Sequence, residues 1–496
     1  MKKLSTIQAS HVNSGTSVDR KDLGKNEQRG REFRHPQLEA EVEPSDTTAY
    51  GGLSLAASLF RLLRVPQRLD SALALLCQHR PFSESDHVLT HVYNLYVGGN
   101  CIEDIGHLQQ SEAARRTLGA VRIPDPTTAG DFLRRFDAAN IASLNAAIDE
   151  VHEDVWRRVF DKKQRELAIV DIDSHVHLVY GNQKEGADFT YKGTYGYHPL
   201  AITLSATQEI LRLLNRPGNV TSADGAAVLL DEIFPLLTRN FKSVLLRGDS
   251  AFAQQDIFDV CEEHDQYFAV VAPCHGTFQA IAESLPDGAW KPFRAKTKST
   301  PKKKKKRRRR GKNLRRKKAR TRGMRDLKLQ KQWIAEVPYQ PSGSDNEYRL
   351  IIRKRQVEES KQGQLFTVYD YRFVLSNLPE SYSAEQVARL TYQRCDQENV
   401  IEQLQNGIAA MRMPAASFAA NAAFLVCSRL AHNIKPWLAM LALPAEVMRW
   451  EWKRFRQAFV YFAARVIHKA RQVIVRIADS HRFATIVHRG IMRLQV

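Results

Sequence analysis

Leu167-Ala168-Ile169-Val170-Asp171-Ile172-Asp173-Ser174-His175-Val176-His177 is the stretch on which the reading of this chain turns. Ala168, Val170 and Ile172 point one way while Ile169, Asp171 and Asp173 point the other, a period of two that marks a strand. His175 and His177 continue the acidic register, so four side chains able to bind a metal or move a proton line one side. Spacing alone does not choose among them, and a solvent-facing strand would carry the same residues. Downstream, Val244-Leu245-Leu246-Arg247-Gly248-Asp249-Ser250-Ala251-Phe252 reads as a buried apolar strand ending in Gly-Asp-Ser. That ending places Asp249 at a strand end, where ligands of α/β sheets gather, although Asp after an apolar run is also a common turn residue.

Working outward, further strand-like runs lie at 198–206, 243–247, 267–271 and 372–375, separated by helical stretches at 223–237 and 384–404. The mixture predicts an α/β catalytic domain over 161–414 with a central mixed sheet. On the helix predicted for 384–404, Val400, Ile401, Leu404 and Ile408 span one arc, with Arg394, Glu398 and Gln405 at its edge and Glu402 further toward solvent. Glu398 is the better placed acid of that helix. Arg394 and Glu398, at i and i+4, also suit a simple helix-stabilising pair worth about 0.3–0.5 kcal/mol.

On the N-terminal side, residues 1–47 are polar and poor in aromatics and read as a flexible arm. Residues 48–160 read as a helical domain. In 83–98 a Ser start precedes Val88, Leu89, Val92, Leu95 and Tyr96 and a Gly-Gly stop, which predicts an amphipathic helix. Pro126-Thr127-Thr128 predicts a second helix start capped by a Thr, with Phe132, Leu133 and Phe136 on one face and Arg134 and Arg135 on another. Those arginines are placed either to meet phosphates or to form a solvated face. After residue 414 the chain reads as mostly helical, with a basic, β-branched stretch at 465–477 suited to short strands.

Lys and Arg outnumber Asp and Glu by 74 to 54, a formal charge of +20 that suits a nucleic-acid partner. One run at 301–323 holds 16 of those bases and no acid, which leaves +4 of the +20 for the rest of the chain. The run falls inside the catalytic region, within an inserted subdomain expected at about 275–365, and it lacks aromatics, which favours contact with phosphates over bases. Cys77, Cys101, Cys261, Cys274, Cys395 and Cys427 form no C-x-x-C pair, so neither a zinc site nor a disulfide framework is suggested. No stretch approaches the roughly 18–20 apolar residues that span a bilayer. A bacterial cytoplasmic, nucleoid-associated protein with no membrane role is the expectation.

Together the three acid-bearing segments resemble the DDE insertion-sequence transposases, in the subgroup with a Tyr-Arg-Glu-Lys signature around the third acid and a long insertion before it. In that family the first acid sits in a strand as Asp-x-Thr, which falls here on Asp173-Ser174-His175; Asp171 is a rival. Gly181-Asn182-Gln183-Lys184-Glu185-Gly186, Gly196-Tyr197-His198-Pro199-Leu200 and Arg216-Pro217-Gly218-Asn219 resemble further family segments. The second acid falls on Asp249 and the third on Glu398. Tyr392 stands one position closer to Arg394 than the signature has it, and Gln405 stands where Lys is expected.

The resemblance implies an RNase H-like mixed sheet flanked by helices, with an insertion before the third acid, a helical N-terminal DNA-binding region and a mostly helical C-terminal region at 415–496. It implies a cut-and-paste transposase that cleaves DNA at the terminal inverted repeats of an insertion sequence and carries out strand transfer. Asp173, Asp249 and Glu398 would be both catalytic residues and metal ligands, with Mg²⁺, or Mn²⁺ in its place, as cofactor. Hard cations call for carboxylate oxygens, and two ions roughly 3.5–4 Å apart stabilise the attacking and leaving oxygens together. Arg394, Tyr392, Arg134 and Arg135 are the expected DNA contacts. The expected partners are double-stranded DNA, as element ends and target, and a second copy in a homodimer. Two other readings use the same residues: a nuclease without strand transfer, and a catalytically inactive DNA-binding descendant suggested by His175 and Gln405.

Overall fold

The computed structural model describes residues 46–181, 183–293, 327–342, 344–361, 364–469 and 472–495. In chain order the first elements are β1 (Thr47–Thr48) and seven helices: α1 (Leu53–Leu62), α2 (Val65–Ala72), α3 (Glu84–Val97), α4 (Ile105–Gln110), α5 (Glu112–Leu118), α6 (Pro126–Leu133) and α7 (Ala138–Val159). Local chemistry sets their ends. Ser83 and Asp86 form a capping box at the start of α3, and Gly98 closes it at φ 99°, a left-handed conformation that favours glycine. The predicted amphipathic helix is thus present, but it is buried on nearly all sides rather than along one stripe. At α6 the cap is Asp125, not a Thr: its carboxylate accepts from Thr128 N at 3.0 Å, and Pro126 takes the first helical position, where its missing N–H costs nothing. The helix ends at Leu133, so Arg134 and Arg135 follow it instead of riding on a continuous face.

The central region runs β2 (Leu167–Ser174), β3 (His177–Leu178), β4 (Asp188–Phe189), β5 (Tyr195–Tyr197), β6 (Leu200–Leu204), β7 (Glu209–Leu214), α8 (Ala226–Asn240), β8 (Ser243–Gly248), α9 (Gln255–Glu263), β9 (Tyr267–Ala272), α10 (Gly276–Ser284), β10 (Lys291–Pro292), β11 (Leu327–Tyr339), β12 (Tyr348–Lys361), β13 (Gln364–Ser376), α11 (Ala384–Tyr392) and α12 (Cys395–Glu402). Nine strands form one mixed sheet in the order β10-β11-β12-β13-β9-β8-β2-β6-β7, with β2, β8 and β9 parallel and the other neighbours antiparallel. The described part of 275–365 continues this sheet, because β13 pairs with β9 and carries β12 and β11 outward.

The period-two pattern of β2 sorts its side chains between two cores. Val170 and Ile172, with Val244 and Leu246 of β8, pack under α8, α9 and α10 through Ile233, Phe234, Ile257, Phe258 and Phe278. Leu245, Ala269, Ile351 and Val374 face the other way and are covered by Val387 and Ala388 of α11. The apolar Val244-Leu245-Leu246 of β8 is what a parallel strand buried on both faces requires.

The chain ends in α13 (Phe418–Leu441), α14 (Trp452–Phe459), β14 (Ala464–Lys469), β15 (Gln472–Ile477) and α15 (Ala484–Arg493). The basic, β-branched stretch therefore forms a hairpin, and β1 joins its edge. Helix α13 packs on α3, α7 and β7 and so joins the N-terminal helices to the sheet. Fully buried Glu209 of β7 is the polar centre of that joint. It meets His152 Nδ1 at 2.9 Å and accepts from Trp156 Nε1 (3.0 Å), Thr207 Oγ1 (2.6 Å) and Trp437 Nε1 (2.7 Å). A charge left unpaired there would be costly, and four partners answer it. Among the described residues, no helix is long and apolar enough to cross a membrane.

Candidate active site

Strands β2 and β8 run parallel with Asp171 opposite Arg247, and two residues further along each chain stand Asp173 and Asp249. Register alone therefore brings these acids to the C-terminal ends of neighbouring parallel strands. Asp171 is not available at the surface. Its carboxylate accepts from Arg247 Nε at 2.7 Å and Nη2 at 2.8 Å, and both side chains are 2% exposed. Arg247 also donates to the Leu390 carbonyl at 2.7 Å and to Ser205 Oγ at 2.8 Å. This buried fork holds β2, β8 and α11 together, and removing one partner of such a pair costs about 3–5 kcal/mol. Asp249 caps the short turn after β8, where its Oδ1 accepts from Ala251 N at 2.9 Å.

The third acid arrives by a route that helical periodicity misses. The predicted helix over 384–404 is two helices, broken at Gln393 and Arg394, with a π-helical turn at Gln403–Gly407. Side chains at and just after the break hydrogen-bond to carbonyls of the sheet. Arg394 Nη1 donates to the Ile172 carbonyl at 3.1 Å, and buried Gln397 Nε2 donates to the carbonyls of Asp171 (3.0 Å) and Ala201 (3.4 Å). These bonds pin α12 across β2 and β6, and Glu398 follows Gln397 on the exposed side. Glu402 is also exposed, at the last position of α12. Arg394 does not serve as the i, i+4 partner suggested by helix spacing. Its ion-pair partners are Asp173, with Nη1 to Oδ2 at 3.5 Å, and Asp249, with Nη2 to Oδ2 at 3.9 Å.

The negative charge on Asp173 is opposed by both burial and the neighbouring acids. Burial pushes the Asp173 carboxyl up to about 6, and repulsion from Asp249 and Glu398 adds to the rise while Arg394 opposes it. Among the described residues, no three His, Cys, Asp or Glu side chains stand close enough to form one metal shell. The donor set nonetheless suits a hard divalent cation: Asp249 and Glu398 both repel the Asp173 carboxylate, and the Arg394 guanidinium lies within ion-pair distance of Asp173 and Asp249. Arg394 supplies there the positive charge that a metal ion would otherwise bring.

The neighbouring motifs build a wall beside Asp173. Strands β3, β5 and β4 make a small separate sheet, with close backbone approaches at two glycines. A Cβ on Gly196 would lie 2.0 Å from the His177 carbonyl, and one on Gly218 would lie 2.2 Å from the Gly196 carbonyl and 2.3 Å from that of Asp188. Arg216 Nε donates to the His198 carbonyl at 2.8 Å, and His198 Nε2 and Ser174 Oγ are hydrogen-bonded at 3.0 Å. Lys184 donates to the Met413 and Ala415 carbonyls, and Glu185 Oε2 accepts from Phe418 N at 2.8 Å, which ties this sheet to the start of α13. Burial holds the His175 imidazole below its ordinary value, and Gln405, the residue standing where the signature has Lys, opposes that shift.

The remaining predicted contacts are placed elsewhere. Tyr392 packs against α11's own core with Arg353 5.0 Å over its ring. Arg134 is paired with Asp131, and exposed Arg135 donates to the Leu75 carbonyl at 3.4 Å. The basic run at 301–323 lies outside the described residues. Sequence reasoning missed Arg247 and Gln397; a charged residue inside the apolar run of β8 was the signal for the first, and nothing in the helical pattern distinguished the second.

Comparison with known families matches residues 31–496 to the family described as "Transposase DDE domain group 1". No curated protein sequence matches the chain. Among solved structures, a piggyBac transposase synaptic complex with hairpin DNA aligns over 82% of this chain and 82% of that one, at 11% identity and a TM-score of 0.28.

Proposed function

Because the chain belongs to the transposase DDE domain group 1 family, we propose that it cleaves DNA at the terminal inverted repeats of an insertion sequence and joins the freed ends to a target, with Asp173, Asp249 and Glu398 as its catalytic carboxylates. The observation that supports this reading is how the three acids are carried: two at the ends of adjacent parallel strands, and the third on a helix whose Gln397 is hydrogen-bonded to the backbone of the same strand. DDE transposases use divalent metal ions; in this protein Asp173, Asp249 and Glu398 would hold Mg²⁺, or Mn²⁺ in its place. When bound, such ions supply Lewis-acid stabilisation of the attacking and leaving oxygens of a phosphodiester.

The chain's own residues prepare that chemistry. Asp171 and Arg247 fix the strand ends, so the carboxylates of Asp173 and Asp249 keep their relative positions without a ligand. Gln397 and Arg394 fix the helix that carries Glu398. Arg394 neutralises part of the acidic charge, which would otherwise repel a phosphate backbone, and its guanidinium can donate to a phosphate oxygen once DNA is seated. Double-stranded DNA is the proposed substrate, bound by the N-terminal helices and by the basic run, with two copies of the chain acting on two ends.

Incubation of the full chain with candidate element ends and Mg²⁺ tests the reading. Nicked ends and joined products are expected. Asp173→Ala, Asp249→Ala and Glu398→Ala should each abolish cleavage while end binding persists. Cleavage that survives Glu398→Ala would move the third role to Glu402, and nicking without joined products would leave a nuclease.

A further inference from the structure

The small sheet beside Asp173 presents apolar surface that its own fold leaves uncovered. Among the described residues, exposed large hydrophobic side chains include Leu178, Tyr180, Phe189 and Tyr191, all four of them on this sheet or its connections; Phe189 is 67% and Tyr191 69% exposed. The turn carrying Tyr191 is well fixed. Thr190 N donates to the Thr194 carbonyl at 2.8 Å, their hydroxyls are hydrogen-bonded at 2.8 Å, and Gly193 turns the chain at φ 68°. An aromatic ring held by such a turn loses little freedom when a partner stacks on it.

Three further observations indicate the partner. The Tyr191 ring lies 5.6 Å from that of His198, whose Nε2 is bonded to Ser174, the neighbour of Asp173. The turn therefore stands, through His198, beside Ser174 and so next to Asp173. Lys192 follows Tyr191 in the turn, with its Nζ 5.3 Å from the Tyr191 ring centroid, so a cation and a π face are offered together. Finally, Phe189, two residues before Tyr191, is in edge contact with Tyr195 at 5.7 Å, which leaves much of its ring free to extend the platform.

We infer that Tyr191 and Lys192, with Phe189 beside them, form a binding site for an unpaired nucleotide at the DNA end: the base stacks on Tyr191 and the adjoining phosphate meets Lys192. Aromatic rings with neighbouring cations bind single strands by stacking and charge, without reading sequence. The site rests on the reading of the three acids as DNA-cleaving and adds to it a means of holding a strand once it has left the duplex.

The test uses the full chain and two synthetic duplexes, one blunt and one with a single-stranded overhang carrying 2-aminopurine. The parent should bind the overhang duplex more tightly than the blunt one and change the 2-aminopurine fluorescence. Tyr191→Ala should lose that preference, weakening overhang binding by about 5- to 100-fold, while Tyr191→Trp keeps it. Lys192→Ala should lower the salt dependence of overhang binding by roughly one phosphate contact. Equal binding of the two duplexes by the parent, or an unchanged fluorescence response in Tyr191→Ala, overturns the nucleotide site and leaves the reading of the acids intact. A parent that binds neither duplex overturns both. Because Tyr191 is exposed, the thermal midpoint of Tyr191→Ala should match the parent's, which separates lost binding from lost folding.

Discussion

Replacing Asp173 with Asn removes a negative charge that the folded chain accommodates at a cost. Burial, with Asp249 and Glu398 nearby, raises its carboxyl to about 6, against about 3.9 for an unperturbed Asp. At about 1.4 kcal/mol per unit, the shift corresponds to about 3 kcal/mol. Its sign follows from proton binding. Between about pH 4 and 6 the native state holds a proton that the unfolded state has released, so the stability linked to this group is fully present below about pH 4 and lost as pH rises through about 6. Asp173→Asn has no such titration. In urea unfolding of the full chain with a chelator present, the variant should exceed the parent by about 3 kcal/mol near pH 7 and converge with it near pH 4. Added Mg²⁺ should narrow the gap at pH 7, since a cation bound among the acids stabilises only the parent's charged form. A difference that stays flat across this range, or a variant less stable than the parent at pH 7, would refute the placement of Asp173 in a buried, acid-crowded site.

Other substitutions probe the supports of the site. Glu209→Ala strands His152, Trp156, Thr207 and Trp437 in the core without their acceptor and should cost about 3–5 kcal/mol, read as a fall in thermal midpoint; an unchanged midpoint would mean that this cluster does not join the helices to the sheet. Gly218→Ala puts a methyl against the backbone carbonyls of Gly196 and Asp188, so the small sheet should loosen and trypsin should cut at Lys192 faster; protection equal to the parent's would argue against that close approach. Arg394→Gln removes the guanidinium from between Asp173 and Asp249. A charge pair at such distances in high dielectric is worth about 1 kcal/mol, so Mn²⁺ binding without DNA, followed by electron paramagnetic resonance, should tighten about fivefold, whereas weaker Mn²⁺ binding would show that Arg394 does not compete for the site.

Much of the fold was legible because its causes are local. Alternation in 167–173 marks β2 and sorts its faces, the apolar run before Asp249 marks β8, and Ser83 with Gly98 marks both ends of α3. The glycines of the family-like segments lie where backbones touch, which their motifs signalled without giving the reason. Strands β11 and β12 were harder to read: they belong to the sheet through pairing with β13, a partner distant along the chain.

The sequence by itself determined which acids were available, the strands that carry two of them and the family to compare. Only the tertiary structure decided which partners each charged group meets. Asp171 and Asp173 share a strand face and the same local pattern, and what separates them is Arg247 on a neighbouring strand, which buries one acid in a fork and leaves the other at the open end. Arg394 and Glu398 fit a helical ion pair by spacing, yet the helix is interrupted at Gln393 and Arg394, Arg394 and Gln397 hydrogen-bond to the backbone of β2, and the guanidinium meets Asp173 and Asp249. Periodicity reports which way a side chain leaves its own element. Which charges it meets depends on register and docking between elements far apart in the chain.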